Sequence, residues 1–227
     1  MSFWLTKWQQ AVNGIALPLR CNKLCSGSSD GTVRLWDCHT GQCANVINLG
    51  GEVGSVCSEG PWLFVGMPNV VKVWNTESGA EYSLNGPVGQ VNALESINDL
   101  LFAGVEVWDL ENWQCSMTLN GHDDVVKSLM CWDKYLFSGS LDCTIKVWAS
   151  TEDGSLEVIY IHSEEHGILA LSGMTDPPML NQSCIALVAI NLSTSMNCQH
   201  SLTGRLFAKQ EVQTLQIGPG GLFFTGD

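Results

Sequence analysis

Polar and apolar positions alternate along this chain in short runs rather than in helical stripes. In "CTIKVW" at 143–148, Ile145 and Val147 alternate with Lys146 and Trp148 at a period of two, and "LFSGS" at 136–140 is short and half apolar. Both runs predict β-strands, whose side chains point alternately to opposite faces. The "LDC" between them predicts a tight turn in which Asp142 caps its own backbone. The same phrase recurs. "CSGSSDGTVRLWDCHTGQC" carries its apolar run to Trp36, "FVGMPNVVKVWNTESGAE" to Trp74, "FAGVEVWDLENWQC" to Trp108 and "FSGSLDCTIKVWASTEDGS" to Trp148, at intervals of 38, 34 and 40 residues. The third copy is short: eight residues separate Gly139 from Trp148, but only three separate Gly104 from Trp108. Residues 100–110 are therefore expected to form either a pinched hairpin with shortened strands or one extended strand joining two half-units.

A period near 40 residues with a terminal Trp-Asp signals four-stranded propeller blades. The units resemble WD40 repeats over residues 12–161. Trp36-Asp37 and Trp108-Asp109 keep the dipeptide, while Trp74-Asn75 and Trp148-Ala149 are degenerate forms of it. The expected fold is all-β: a WD40 β-propeller, incomplete, with about five to six blades, one shortened and the last truncated. It is expected as a single domain over 1–227, with well-formed blades at 12–161, a degenerate blade at 162–205 and a partial blade at 206–227. A ring that does not close leaves unpaired strand edges, so self-association through open blade edges is expected.

The resemblance also gives the polar residues a meaning. In a well-formed WD40 unit a Gly-His, a strand Ser, a turn Asp and the Trp form a buried hydrogen-bonded chain, and one unit here has all four: His122, Ser138, Asp142 and Trp148. Such a chain leaves no buried polar atom without a partner. The first unit keeps Ser26, Asp30 and Trp36 but has Trp8-Gln9 near the place of the Gly-His. The second keeps Gly66 and Trp74 with Asn69 in its turn, and the third keeps Trp108.

Composition narrows the function. Hydrophobic residues make up 45% and charged ones 15%, enough for a buried core and unlike a disordered chain. Ten Lys+Arg against 23 Asp+Glu give a net charge of -13, which repels a phosphate backbone, so no direct nucleic-acid binding is expected. The longest apolar run, Ile185 to Ile190, is far short of the ~18 residues that span a membrane. Lys7, Gln9, Gln10 and Asn13 interrupt the N-terminal segment where a signal peptide needs an apolar stretch. The ten cysteines are scattered singly and read as reduced thiols, so the expected location is intracellular, nuclear or cytoplasmic, and the two Asn-x-Ser sequons are chance matches.

Three motifs imitate catalysis. His122, Ser138 and Asp142 invite a hydrolase reading, but a Ser that hydrogen-bonds a Trp inside a blade has no access to substrate. "GSSDG" at 27–31 matches the nucleophile elbow, which needs a helix after the turn, whereas "TVRLW" predicts a strand. "HSEEH" at 162–166 matches an inverted zinc-peptidase motif. On a helix His162 and His166 would bind zinc with Glu165 as base, but Gly167 and a strand-like "ILALSG" follow. "GPGGLF" at 218–223 lacks the third glycine of a dinucleotide loop and reads as a turn. No cofactor is implied.

Some segments resemble a narrower family. "GSSDGTVRLWDCHTGQC", "GSLEVIYIHSEEHGILAL" and "RLFAKQEVQTLQIGPGGLFFTGD" are similar to the WD-repeat half of plant proteins that join CCCH zinc fingers to a propeller, over roughly 12–173 and 204–227. The resemblance implies nucleic-acid binding for proteins that carry the fingers. The cysteines here, at 21, 25, 38, 43, 57, 115, 131, 143, 184 and 198, form no such cluster, so that role is not carried over. Residues 174–203 depart from the family, and with Pro177-Pro178 they are expected to be the least regular segment, although "CIALVAI", apolar and β-branched, is able to find a sheet edge. The resulting expectation is a non-enzymatic scaffold whose partners are other proteins. A metal-dependent hydrolase built on His162, Glu165 and His166, or an incomplete product without stable function, are the alternatives. The Trp-Asp-x-Arg signature of ubiquitin-ligase docking is not met, since His39 and Glu111 occupy its fourth position.

Overall fold

In the computed structural model the described residues are 10–19, 21–132 and 134–175, together with five later strands at 183–189, 192–197, 205–206, 214–218 and 222–226. Every regular element among them is a β-strand. The chain divides into two compact units, Met1–Leu119 and Asn120–Asp227.

The first unit holds three sheets. Strands β1 (Val12–Ala16), β2 (Lys23–Ser28), β3 (Thr32–Asp37) and β4 (Cys43–Asn48) form an antiparallel sheet in chain order. Strands β5 (Ser55–Glu59), β6 (Trp62–Asn75) and β7 (Glu81–Gln90) form the second. The 14 residues of β6 would span roughly 45 Å if straight. Yet the amide just after it, Thr76 N–H, donates to the carbonyl just before it, Pro61, at 2.9 Å. The strand therefore doubles back, at Pro68-Asn69, where Asn69 has φ +61°. Its first half pairs with β5 and its second with β7, so this sheet too supplies the span of four strands.

The third sheet, β8 (Leu94–Ile97), β9 (Leu100–Ala103), β10 (Glu106–Asp109) and β11 (Gln114–Thr118), contains the shortened phrase. It is the pinched hairpin of the two expected alternatives. Ala103 pairs with Glu106, leaving a two-residue loop of Gly104 and Val105. Gly104 has φ +62° and Val105 is not in the positive region, the pattern of a type II′ turn with glycine first. Each arm has four residues, against six or seven in the corresponding strands of the complete unit.

In the second unit β12 (Val126–Trp132), β13 (Tyr135–Ser140), β14 (Thr144–Ser150) and β15 (Leu156–Ser163) form one sheet. Strands β16 (Ile168–Thr175), β17 (Ser183–Ala189), β18 (Leu192–Asn197) and β19 (Arg205–Leu206) form the next, and β20 (Thr214–Gly218) pairs with β21 (Leu222–Gly226). The expectation for 174–203 needs correction. Ser183–Ala189 is an inner strand paired on both sides, with β16 and with β18, and not an edge. Pro177-Pro178, and residues 198–203, lie outside the described residues.

Sheets within each unit pack face to face, and the glycine of the Ser-Gly-Ser phrase marks the contact. A Cβ on Gly27 would stand 2.5 Å from the side chains of Val53 and Val56, and one on Gly139 would stand 2.5 Å from Ile168. Both glycines sit where the first strand of the following sheet, or the segment leading into it, crosses closest. The apolar cores follow from this packing. Phe64, Val71, Val73 and Leu101 are fully buried in one cluster, and Cys25, Val33, Val53 and Val65 in another.

Candidate functional site

The fourth sheet brings His122, Ser138, Asp142 and Trp148 together. β13 carries Ser138, β14 carries Trp148, and the turn between them carries Asp142. Antiparallel register sets Leu136 opposite Trp148 and Ser138 opposite Lys146, so the serine lies two residues along from the tryptophan's partner, on the same face. His122 enters from the loop before β12. Its Nδ1 is 2.7 Å from Asp142 Oδ2 and its Nε2 2.7 Å from Ser138 Oγ, while Trp148 Nε1 donates to Ser138 Oγ at 2.8 Å. The donors fall in one order: the carboxylate accepts from Nδ1–H, Nε2 accepts from the serine hydroxyl, and the serine oxygen accepts from the indole. The imidazole side chain is 2% exposed and Ser138 1%.

Asp142 is the hub. Its Oδ1 accepts from Thr144 N at 2.8 Å and Thr144 Oγ1 at 2.6 Å, and its Oδ2 also accepts from Asp123 N at 3.0 Å. Burial alone would push this carboxyl up, but the hydrogen bonds from Thr144, His122 and Asp123 outweigh it and hold the group well below the usual carboxylate range. Ser140, missed by sequence reasoning, is fully buried; its Oγ accepts from Asp142 N at 3.1 Å and donates to Asp124 O at 3.0 Å. The signal for it was present: the first unit repeats Ser-Gly-Ser-x-Asp-x-Thr, and Ser28 there accepts from Asp30 N at 3.1 Å.

The chain of bonds has the order Asp–His–Ser of a hydrolase triad, but the serine is spent. Its oxygen holds two partners, and the residue is 1% exposed, so it is not presented to a substrate carbonyl.

The first unit makes a shorter version. Trp36 Nε1 donates to Ser26 Oγ at 2.7 Å, and Asp30 Oδ1 accepts from Thr32 N at 3.0 Å. Arg34, opposite Ser26 in register as Lys146 is opposite Ser138, places its guanidinium 3.4 Å from Asp30 Oδ2. Trp8 and Gln9 lie outside the described residues. In the second unit Val65 holds the serine's place, and Trp74 packs half-buried against the core around Val33, Val53 and Val65. In the third unit Ala103 holds the serine's place, opposite Glu106. Trp108 Nε1 and Glu106 Oε2 are buried without a well-formed hydrogen bond. Burial pushes the Glu106 carboxyl up, and the neighbouring indole N–H pulls it part of the way back.

The Asp of Trp-Asp has a separate task at the surface. Asp37 Oδ1 accepts from His39 N and Thr40 N at 3.0 and 2.8 Å, and Asp109 Oδ1 accepts from Glu111 N and Asn112 N at 2.8 and 3.3 Å. Asn75 Oδ1 does the same for Glu77 N and Ser78 N, at 3.0 and 2.8 Å. This explains the degenerate Trp-Asn, since an amide oxygen caps the turn as a carboxylate does. After Trp148-Ala149 the turn is rebuilt from Thr151, Asp153 and Ser155. Hydrogen bonds from Thr151 and then Ser155 lower the Asp153 carboxyl to about 2.

The other motifs fall on loops and strands. His162 is on β15, not on a helix, and its Nε2 lies 2.9 Å from Glu164 Oε1, while Glu165 and His166 are exposed in the loop before β16. A strand does not give His162 and His166 the shared helical face that the zinc motif requires. Residues 27–31 run from strand into turn into strand β3, without the helix of a nucleophile elbow. Among the described residues no helix is long and apolar enough to cross a membrane.

Repeated antiparallel sheets, a tryptophan near the end of the third strand in the first four units and a buried Ser–Trp bond in two of them are the marks of WD40 repeats. The WD domain, G-beta repeat family matches residues 5–37 and 113–149, which hold the Ser–Trp hairpins of the first and fourth units, so the chain carries WD40 repeats. Its relatives are more particular. Zinc finger CCCH domain-containing protein 17 of Oryza sativa subsp. japonica is 46% identical over 271 residues, covering 96% of this chain and 62% of that protein. Zinc finger CCCH domain-containing protein 48 of Arabidopsis thaliana is 45% identical over 273 residues, with the same 96% and 62%. This chain thus spans about 62% of the length of these plant relatives. Nuclear distribution protein nudF of Emericella nidulans is 27% identical over 191 residues, covering 69% of this chain and 43% of that protein. The crystal structure of the computationally designed Ika8 protein superposes with a TM-score of 0.69 at 24% identity, over 97% of this chain and 69% of that one, a likeness of fold alone.

Proposed function

We propose that this chain is a non-enzymatic scaffold whose work is to hold surface loops in place for other proteins. The observation that carries the reading is the occupancy of the one triad-like constellation: His122, Ser138 and Asp142 are bonded to each other and to Trp148 in the interior. Residues used in this way tie β13, β14 and the loop before β12 together. What remains for function is the exterior, and loops on a rigid sheet framework are suited to recognition. The names of the plant relatives pair this region with a CCCH zinc finger. In a protein so built, the repeat region would supply partner contacts, and its net charge of -13 speaks against a phosphate backbone as that partner. Self-association belongs to the same reading, because Ile159, Tyr160 and Ile161 on β15 are each more than half exposed.

Chemical cross-linking of the purified chain in a cell extract, followed by mass spectrometry, tests the reading. A discrete set of partner proteins cross-linked through exposed loops is expected, with oligomers of the chain visible by light scattering. Zinc bound at one equivalent, with hydrolysis that depends on His162, Glu165 and His166, would contradict it.

A further inference from the structure

Trp113 occupies a position that the other units give to glycine. In the turn after β3, Gly41 N–H donates to Asp37 O at 2.8 Å, and in the turn after β6, Gly79 N–H donates to Asn75 O at 2.9 Å. In the third sheet Trp113 N–H donates to Asp109 O at 2.9 Å, closing the same turn. The three residues have φ of +69°, +73° and +61°. Glycine adopts that conformation freely, whereas an L side chain pays roughly 1–2 kcal/mol to do so. The other non-glycine residues with positive φ among those described are Asn69, Asn98, Asp99 and Cys143, all small. Only here is a large aromatic held in the left-handed region.

The strained ring joins an aromatic surface. Trp113 stacks on Tyr82 with centroids 5.1 Å apart and planes at 21°, and meets Trp62 edge-on at 4.9 Å, while Trp62 and Tyr82 are 5.8 Å apart. Tyr82 is 44% exposed, and Trp62 and Trp113 are half-buried. Tyr82 also lines an open groove of about 700 Å³ bounded by Trp74, Ile47 and Lys72. Three exposed carboxylates are neighbours of the rings in register or in sequence. Glu59 is the register partner of Trp62, Glu81 precedes Tyr82, and Glu111 lies in the Trp113 turn. The cation of the groove, Lys72, donates to Ser83 Oγ at 2.8 Å.

We infer that Trp62, Tyr82 and Trp113 form a docking platform for an arginine-bearing segment of a partner protein. The inference rests on the scaffold reading above and names one of its contact surfaces. A guanidinium is planar and weakly hydrated, stacks on aromatic faces, and at the same time donates to carboxylates at the edge of its plane. The stacked Tyr82–Trp113 pair with Trp62 edge-on to it, and the exposed carboxylates of Glu59, the register partner of Trp62, and Glu111, in the Trp113 turn, offer both interactions. The compact lysine ammonium matches the charge but not the plane. A second copy of this chain, acidic overall, is a poor occupant of an acidic rim.

The test uses the whole purified chain and three synthetic nonapeptides of repeated Gly-Arg-Ser, Gly-Lys-Ser and Gly-citrulline-Ser, read by tryptophan fluorescence and calorimetry. Saturable binding of the arginine peptide is expected, several-fold weaker for lysine and at least tenfold weaker for citrulline, which keeps the shape and loses the charge. Trp113→Gly relieves the backbone but gives up the packing of the ring against the core around Phe64, Leu101 and Trp108, so a lowered denaturation midpoint and at least a tenfold loss in binding are expected. Tyr82→Ala, at an exposed position, gives the same loss independently of any effect of Trp113→Gly on folding. Absence of saturable binding, equal binding of the citrulline peptide, preference for a single-stranded RNA, or full binding by both variants overturns the inference. Cross-linked partners that persist unchanged on both variants overturn it too, and leave the scaffold reading standing.

Discussion

The indole of Trp148 donates from Nε1 to Ser138 Oγ at 2.8 Å, and the same oxygen lies 2.7 Å from His122 Nε2. One serine hydroxyl therefore satisfies two buried groups from two other segments of the chain. Ser138→Ala orphans both and is expected to cost about 2–4 kcal/mol, given roughly 1–3 kcal/mol for each buried polar group left without a partner. Ser26→Ala removes the acceptor of Trp36 Nε1 and is expected to cost less. Urea titration of the two variants measures the difference.

Asp142 and Asp30 occupy the same turn position with different partners. Asp142→Ala strands the His122 ring and the Thr144 and Asp123 amides, and a loss of about 1–3 kcal/mol or more is expected. Asp30→Ala removes the cap on Thr32 N and one contact of Arg34 but strands no imidazole among the described residues, so a smaller loss is expected. Equal losses in denaturant titration would contradict the hub role of Asp142.

The pH dependence has two opposite contributions. Asp142 is held below its unfolded value of about 3.9. Its stabilisation is thus fully present above about pH 4 and is lost as the pH falls through the depressed folded value. Glu106 is raised by burial, so its contribution runs the other way: present in acid and lost as the pH rises through its folded value. The stability gap between the wild-type chain and Asp142→Asn is expected to shrink below pH 4. Replacing Glu106 with Gln is expected to help most near neutral pH. Denaturation midpoints at pH 7, 5 and 3 check both.

Ala103 pairs with Glu106 as Ser138 pairs with Lys146 and Ser26 with Arg34. Ala103→Ser therefore returns the missing acceptor beside the buried Trp108 Nε1. A gain of about 0.5–1.5 kcal/mol is expected, the net worth of one intramolecular hydrogen bond. An unchanged or lower midpoint would show that the shortened hairpin sets Trp108 differently from Trp148.

Much of this was legible in the chain because the repeat is written in side chains that can do only one thing. Ile145 and Val147 against Lys146 and Trp148 predict a strand, and Ser138 and Asp142 recur as Ser26 and Asp30 at the spacing that the hairpin requires. The turn at Asn69 was legible too, and the structure puts the fold-back of β6 there. Other features were not legible, for three physical reasons. The inner position of Ser183–Ala189 depends on a partner strand, Leu192–Asn197, that is polar and carries no tryptophan. Glu106 beside Trp108 replaces a network rather than repeating one, so no periodicity points to it. The left-handed backbone of Trp113 becomes visible only when its turn is laid over those of Gly41 and Gly79.

The central claim is that His122, Ser138 and Asp142 are a structural tie and not a hydrolytic centre. Incubation of the folded chain with a serine-directed fluorophosphonate, followed by peptide mass spectrometry, tests it most directly. Ser138, 1% exposed and bonded to both His122 and Trp148, is expected to stay unmodified until the chain is unfolded. A stoichiometric adduct on Ser138 in the folded chain, prevented by replacing His122, would contradict the account.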